Sequence, residues 1–448
     1  MKTKTLTFTL ALLCLSSAIR AAEQPNFILM MADDLGYAGL SCFGNRHGIQ
    51  TPNLDAMAKN GLKFTDFHSN GTVCSPTRAA LMTGRYQQRT GVTGVITAAS
   101  HRNAGLAHKE TTIADLLKAN GYRTAIFGKW HLGYPATFNP IHQGFDEYVG
   151  FVSGNVCNQS HIDQAMQEDW WKQDQLTPEK GYQTTLIGNH TVDFIERSKD
   201  APFFVYVAFG APHYPIQGPN DPPTRGPDKV SQNSIDAKRA YREMIESMDA
   251  EVGRIRAKVE ELGLAEKTVF FFCSDNGHSM GLGGEYSADP ALRGSKATVY
   301  EGGVRVPGIA YWPGTIAPAV TEEVGMTMDL LPTFASLAAV PAKTEYPLDG
   351  IDLAPLMLHG TPLPKRPLFW SFKNTGAARL GPWKYVLTGN TGALYNLDDD
   401  RAESIDRSAD FPEKFQEMQQ RYADWFKDAS TNPSGPQIDP NASATPVK

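Results

Sequence analysis

Cysteine is scarce in this chain, at five of 448 residues. One of the five, Cys14, falls in a leader-like first segment. The other four are too few for a disulfide scaffold in a protein this large. Excess positive charge is also missing: 42 Lys and Arg face 48 Asp and Glu, for a formal net charge of -6. A general nucleic-acid binder is usually basic, so that class is set aside. There is no internal repeat and no low-complexity block. The composition, 41% hydrophobic, 10% aromatic and 20% charged, excludes a disordered or fibrous chain. Beyond the first residues no apolar run reads as transmembrane. What is left is a globular protein long enough for one large domain and a smaller one.

In residues 1–22, Lys2 and Lys4 precede an apolar run from Leu6 to Leu15, then small residues up to Ala21-Ala22. That is the pattern of a secretory signal peptide. The bulky Leu13 before Cys14 argues against a lipoprotein signal, so cleavage is expected near Ala21 or Ala22. The product is expected to be exported, periplasmic or secreted, without a transmembrane segment.

Short apolar runs then alternate with helical patterns. Strands are expected at Asn26–Met31, Thr124–Phe127, Pro202–Phe209 and Thr268–Cys273. Cys273 reads as a small apolar core residue. Helices are expected at Leu54–Lys59 with Asn53 as cap, at Thr112–Ala119, and within Ser234–Leu262. Continuous apolar strands between helices imply a mainly parallel sheet covered on both faces. This α/β body is expected over residues 23–340. Short strands at Leu368–Phe372, Trp383–Leu387 and Ala393–Asn396, then an amphipathic helix from Pro412 to Phe426, suggest a small α+β subdomain over 341–430. Residues 431–448, rich in Pro, Ser, Asn and Ala, are expected to be disordered.

Open α/β sheets bind ligands beyond the carboxyl ends of their strands. Here those ends run into Asp33-Asp34, into Lys129-Trp130-His131, into His213, and into Asp275-Asn276. Each acidic pair alone is commonly just a turn. Together the carboxylates would repel one another unless a cation lay between them. Oxygen-only donors favour calcium or magnesium over zinc.

The segment Cys74-Ser75-Pro76-Thr77-Arg78, followed by Thr83-Gly84-Arg85, resembles the signature of the type I, formylglycine-dependent sulfatases. Gly121 to His131 is similar to that family's second signature. The resemblance continues through Ala211-Pro212-His213, Ser274 to Gly277, Leu292 to Lys296 and Tyr300 to Pro307. It is close from Asn26 to Pro307 and looser through Asp329 to Thr333, Leu348 to Gly350 and Trp383-Lys384. Its nearest character is that of arylsulfatase and N-acetylgalactosamine-sulfatase-like carbohydrate sulfatases.

The resemblance implies an alkaline-phosphatase-like α/β fold and a sulfuric ester hydrolase. It implies that Cys74 is oxidised to formylglycine (3-oxoalanine) by a formylglycine-generating enzyme. One hydroxyl of the aldehyde hydrate attacks sulfur, and the other collapses to release sulfate. Asp33, Asp34, Asp275 and Asn276, with residue 74, are implied to hold a calcium ion, magnesium being the alternative. Arg78 is implied to oppose residue 74, Lys129 and Lys296 to clamp sulfate oxygens, His131 to act as base on the hydrate, and His213 to protonate the leaving oxygen. Pro76 suits a first helical turn, which puts residue 74 at a helix N-terminus, where anions are favoured.

His161 and His278 are weaker candidates for substrate contact, and Trp170-Trp171 could stack on a sugar or simply pack. Cys157-Asn158 departs from what related carbohydrate-active sequences carry, so no subsite is assigned from that loop. The expected substrates are sulfated glycosaminoglycan or algal galactan oligosaccharides. Two alternatives stay open. One is a phosphate or phosphonate ester hydrolase using the same site. The other is a non-catalytic binder of sulfated glycans, should Cys74 stay a thiol.

Overall fold

The computed structural model describes residues 24–226, 229–230, 236–281 and 283–442. The expected signal peptide, residues 1–22, lies outside them.

Five parallel strands form the middle of an eleven-stranded sheet: β1 (Asn26–Ala32), β3 (Arg123–Lys129), β4 (Glu147–Phe151), β7 (Phe203–Ala208) and β10 (Thr268–Ser274), in the order β10-β1-β7-β3-β4. Beyond β4 lie the short strands β5 (Trp171–Lys172) and β6 (Gln175–Leu176). Beyond β10 come β11 (Arg305–Tyr311), antiparallel to it, and then β2 (Leu62–His68). Strands β12 (Ala319–Thr321) and β13 (Gly325–Met326) both pair with β2. A separate two-stranded ladder joins β8 (Arg225–Gly226) to β9 (Lys229–Val230).

The central strands are apolar without interruption because both faces are covered. Phe27, Leu29 and Met31 of β1 enter one core, with α2 (Cys74–Thr83) and the helix Leu330–Leu337. Ile28, Met30 and Ala32 enter the other, under α1 (Pro52–Asn60) and the helices Gln183–Ser198 and Ala237–Glu261. This period of two is the pleat of a strand buried on both sides.

Two local expectations are corrected. Asn53 does not cap α1 with its own side chain. The buried Asp249 carboxylate, from the helix packed alongside, instead accepts the Asn53 and Leu54 N–H groups at 3.1 and 2.8 Å. The tail is ordered through residue 442: Ile438 is 1% exposed inside the core, and its N–H donates to Gly91 at 2.8 Å. One apolar residue with a matching hole is enough to hold a segment whose composition reads as polar. Residues 443–448 lie outside the described part.

The smaller unit is an antiparallel sheet, β14 (Leu368–Phe372), β15 (Thr375–Leu380), β16 (Trp383–Thr388) and β17 (Thr391–Asn396), covered by the helix Pro412–Ala429. Its core is continuous with Ala80 of α2 and with Tyr86, Val304, Met326 and Met328 of the body. Buried ion pairs cross the same junction. Arg379 holds Asp66 and Lys384 bonds Glu301 at 2.7 Å, with Glu403 of the smaller unit 2.9 Å from Lys384 beside them.

Candidate active site

Adjacent strands β10, β1, β7 and β3 deliver their carboxyl ends to one place. Asp33 and Asp34 follow β1, and Asp275 and Asn276 follow β10. The ends are tied together by backbone bonds: Asp275 N–H donates to Ala32, and Asp33 N–H to Ala211. Asp34 N–H donates to the Asp275 carboxylate at 3.1 Å. Asp34 and His131 both have left-handed backbones, at φ 64° and 58°, a strained choice that clusters at functional sites.

Helix α2 opens at Cys74 and closes at Gly84, whose left-handed N–H returns to Ala80. Its first turn is braced by Thr77, whose hydroxyl accepts the Gly71 N–H at 3.0 Å, and by Ser75, whose hydroxyl accepts the Ile96 N–H at 3.1 Å. Cys74 is 2% exposed, and its thiol faces Asp33 at 3.5 Å and Asp34 at 3.9 Å. Burial pushes this thiol up to about 12, although Lys129 and Lys296 pull the other way. An unmodified Cys74 therefore stays protonated at neutral pH, and a thiol is a weak nucleophile beside a thiolate.

Each carboxylate has a cationic partner. Lys129 lies 2.6 Å from Asp33, Lys296 lies 2.7 Å from Asp34, and Arg78 lies 2.8 Å from Asp275. Arg78, expected against residue 74, is held instead in a fork on Asp275 and donates to Lys129 O and the Tyr206 hydroxyl. The Lys296 ammonium is also 3.5 Å from the Cys74 sulfur, between the nucleophile position and the carboxylates. Burial drives Asp33 up to about 8, with Asp275 and Asp34 adding to the rise and Lys129 and Arg78 opposing it. Burial likewise disfavours charge on Asp34, but Lys296 and His213 outweigh it and hold that carboxyl low.

The donor set suits a hard divalent cation. Ligand atoms of Asp33, Asp34, Cys74 and His213 lie within 4.8 Å of one another. The buried Asn276 amide donates to Asp34 at 2.8 Å, which leaves its carbonyl oxygen without a partner among the described residues. A cation at this place would satisfy that buried oxygen and offset the three carboxylates. Asp275 has one oxygen on Arg78 and the other on the Asp34 N–H.

The two strand-end histidines differ. His131 Nε2 lies 3.0 Å from the Ile96 carbonyl, and its buried Nδ1 has no partner among the described residues. With the proton on Nε2, Nδ1 is a bare lone pair. Burial, then Lys129 and Arg78, hold this imidazole well below the ordinary histidine range, so it is neutral. His213 Nδ1 lies 2.7 Å from the Tyr214 carbonyl, and Nε2 lies 3.5 Å from Asp34. Burial takes it down to about 3 against the pull of Asp34.

Asp34, Cys74, His131, His213 and Lys296 form the floor of an open cleft of about 1280 Å³, with the other groups buried behind them. Its walls include the loop 95–104, Ser153 to Asn155, Gln164, Tyr214 and, from the smaller unit, Phe372 and Lys373. Residues 95–104 and Lys373 carry no motif, and only the folded chain brings them to the site. Ser153-Gly154-Asn155 follows the end of β4 into the same wall. A Cβ at Gly154 would come 3.0 Å from the His131 ring, which would have to shift by a few tenths of an ångström to admit it.

Two residues expected to contact substrate, His161 and His278, do not line the cleft. His161 is buried on Trp170, with ring centroids 4.3 Å apart, and does not line the cleft. His278 is buried too, and what it contributes is its backbone: its carbonyl accepts the Lys296 N–H at 2.8 Å. Trp170 packs against Phe151 and is 1% exposed, so it offers no sugar platform. Cys157 is buried, its thiol directed at Gln217.

A family model described as Sulfatase matches residues 25–340. Human Arylsulfatase A is 35% identical over 409 residues, covering 83% of this chain and 76% of its own length. The N-acetylgalactosamine-6-sulfatase of Sus scrofa is 36% identical over 391 residues, covering 81% and 72%. Among solved structures, Ps i-CgsB in complex with k-i-k-neocarrahexaose superposes with a TM-score of 0.81 at 27% identity, covering 93% of this chain and 95% of the other.

Proposed function

The chain belongs to the sulfatase family and hydrolyses sulfate esters, and from that premise we propose that it acts on sulfated carbohydrate oligosaccharides, of glycosaminoglycan or algal galactan type. The observation that carries this reading is the cleft itself. It is wide and open to solvent, its walls mix alanine, proline and phenylalanine side chains with hydroxyl and amide groups, and its floor holds the Cys74 position beside the Lys296–Asp34 pair. A flat or narrow apolar slot would suit a small aryl ester instead. The similarity to an N-acetylgalactosamine-6-sulfatase and to a structure holding a neocarrahexaose supports the same class.

In this reading a maturation enzyme converts Cys74 to formylglycine, whose hydrated aldehyde supplies the attacking hydroxyl. The match of this chain to the family, with Cys74-Ser75-Pro76-Thr77-Arg78 inside the matched residues, supports that step. Asp33, Asp34, Asp275 and Asn276 would hold a divalent cation, calcium before magnesium, which supplies positive charge against the ester's anionic oxygens. Lys129 and Lys296 orient the sulfate and offset its charge. Arg78 fixes Asp275 and the end of β3. His131 accepts a proton at Nδ1, the nitrogen left bare by the Ile96 contact. His213 presents Nε2 for proton delivery to the leaving oxygen; burial opposes the imidazolium this requires, and Asp34, 3.5 Å away, offsets part of that cost.

The leader pattern supports export to the periplasm or outside the cell. No helix among the described residues is long and apolar enough to cross a membrane.

The test is turnover of a panel of sulfated mono- and oligosaccharides by protein co-expressed with a formylglycine-generating enzyme. Release of sulfate from one sugar position is expected. Hydrolysis of 4-nitrophenyl phosphate in preference to 4-nitrophenyl sulfate would contradict the reading.

A further inference from the structure

The C-terminal segment 433–442 lies outside the sheets, yet it reaches the active-site cleft. Pro436, Pro440, Asn441 and Ala442 line it. The segment is seated on the stretch 89–94 by three bonds. Ser434 N–H donates to Arg89 at 2.8 Å, Ile438 N–H donates to Gly91 at 2.8 Å, and the Thr93 hydroxyl donates to Ile438 O at 2.7 Å. Ile438 anchors it in the main core.

Two glycines permit the approach. A Cβ on Gly91, at φ 83°, would come 2.6 Å from Gly435 O. A Cβ on Gly94 would come 2.7 Å from Pro440 Cα. Nothing larger than glycine fits under the strap at either point, so its path is set by the loop beneath it.

That loop is catalytic scaffolding on its other side. Ile96 N–H donates to Ser75, next to the nucleophile, and Ile96 O contacts His131 Nε2. The strap therefore sits one layer above the reacting groups, on the cleft's outer wall. Lys373, exposed at the β14–β15 turn with φ 54°, lines the same cleft. The strap's contribution to the wall is two proline rings, a methyl group and one amide. Such a surface complements the CH face and hydroxyls of a sugar ring.

We propose that the strap 436–442 is a specificity element, forming the subsite for the sugar unit attached beyond the sulfated one. The assignment rests on the carbohydrate-sulfatase reading above. It makes the strap a determinant of saccharide affinity that a small aryl sulfate does not reach.

The test compares 4-nitrophenyl sulfate with whichever oligosaccharide the wild-type enzyme desulfates from a carrageenan and chondroitin sulfate panel. A chain ending at Asp439 keeps Ser434 and Ile438 seated but removes the outer lining. Its kcat/KM on the oligosaccharide is expected to fall about tenfold, mostly through KM, with the aryl sulfate within about twofold of wild type. Asn441→Ala, which leaves the backbone path intact, is expected to raise KM for the oligosaccharide alone by about threefold. Equal losses on both substrates, or no loss on either, would overturn the subsite. If the wild-type enzyme hydrolyses the aryl sulfate and no saccharide, the carbohydrate reading fails and takes the subsite with it.

Discussion

Removing one sulfur atom separates chemistry from folding in this protein. Cys74→Ala deletes the precursor of the proposed nucleophile while leaving the Ser75 and Thr77 braces of its helix. Turnover is expected to fall by at least about a thousandfold with the melting temperature nearly unchanged. Thermal unfolding and sulfate release on the same preparation check both halves. His213→Ala tests a different step. A proton donor matters most when the leaving oxygen is a poor one, so losses on a sugar sulfate should exceed those on 4-nitrophenyl sulfate by about a hundredfold. Equal losses would remove His213 from the acid role. At this scale the sequence was informative where a residue ends a strand: Asp33, Lys129, His213 and Asp275 all converge. Neither His161 nor His278 lines the cleft, although His278 follows a strand end as His213 does. Their direction depends on loop packing that spacing does not encode. The orphan oxygen of Asn276 and the Arg78 fork on Asp275 were likewise visible only in three dimensions.

Elements show how far pattern reading extends. The four apolar strands were legible because burial on both faces leaves no polar interruption. Strand β15, Thr375–Leu380, was not, since Gly376 and two alanines give it low strand propensity. It forms because β14 and β16 pair with it on both sides. The N-terminus of α1 was misread for a similar reason: its cap comes from Asp249, 196 residues away. Asp249→Ala should therefore cost about 1–3 kcal/mol of stability, by leaving two helix N–H groups unpaired, with kcat/KM unchanged. Chemical denaturation beside steady-state kinetics would measure this. Gly154→Ala should do the reverse. Its methyl group would press on the His131 ring, lowering kcat by about tenfold with stability nearly intact.

The whole molecule is joined through charge as well as apolar packing. Glu301 lies at the junction between body and smaller unit, bonded to Lys384, Arg305 and His68. Burial opposes its charge, but Lys384, Arg305 and His68 prevail and hold it well below the usual carboxylate range. A carboxyl depressed in the folded state contributes stability that is full above its unfolded pKa, about 4.3, and is lost as pH falls toward its folded value. Glu403 beside it moves the opposite way, raised by burial and by Glu301 despite Lys384. The wild-type protein should thus lose stability steeply below about pH 4, and Glu301→Gln should be less stable at pH 7 with a shallower acid slope. Urea midpoints across pH 3 to 7 would show it. None of this junction was legible as a network, because its members are scattered from Asp66 to Glu403.

The account stands most directly on what residue 74 becomes. The tryptic peptide Phe64–Arg78 from active enzyme, weighed by mass spectrometry, decides it. The account predicts that the cysteine sulfur and two hydrogens are replaced by one oxygen, and that sulfate release across preparations rises in proportion to the converted fraction. Full turnover from protein whose peptide retains the thiol would contradict it.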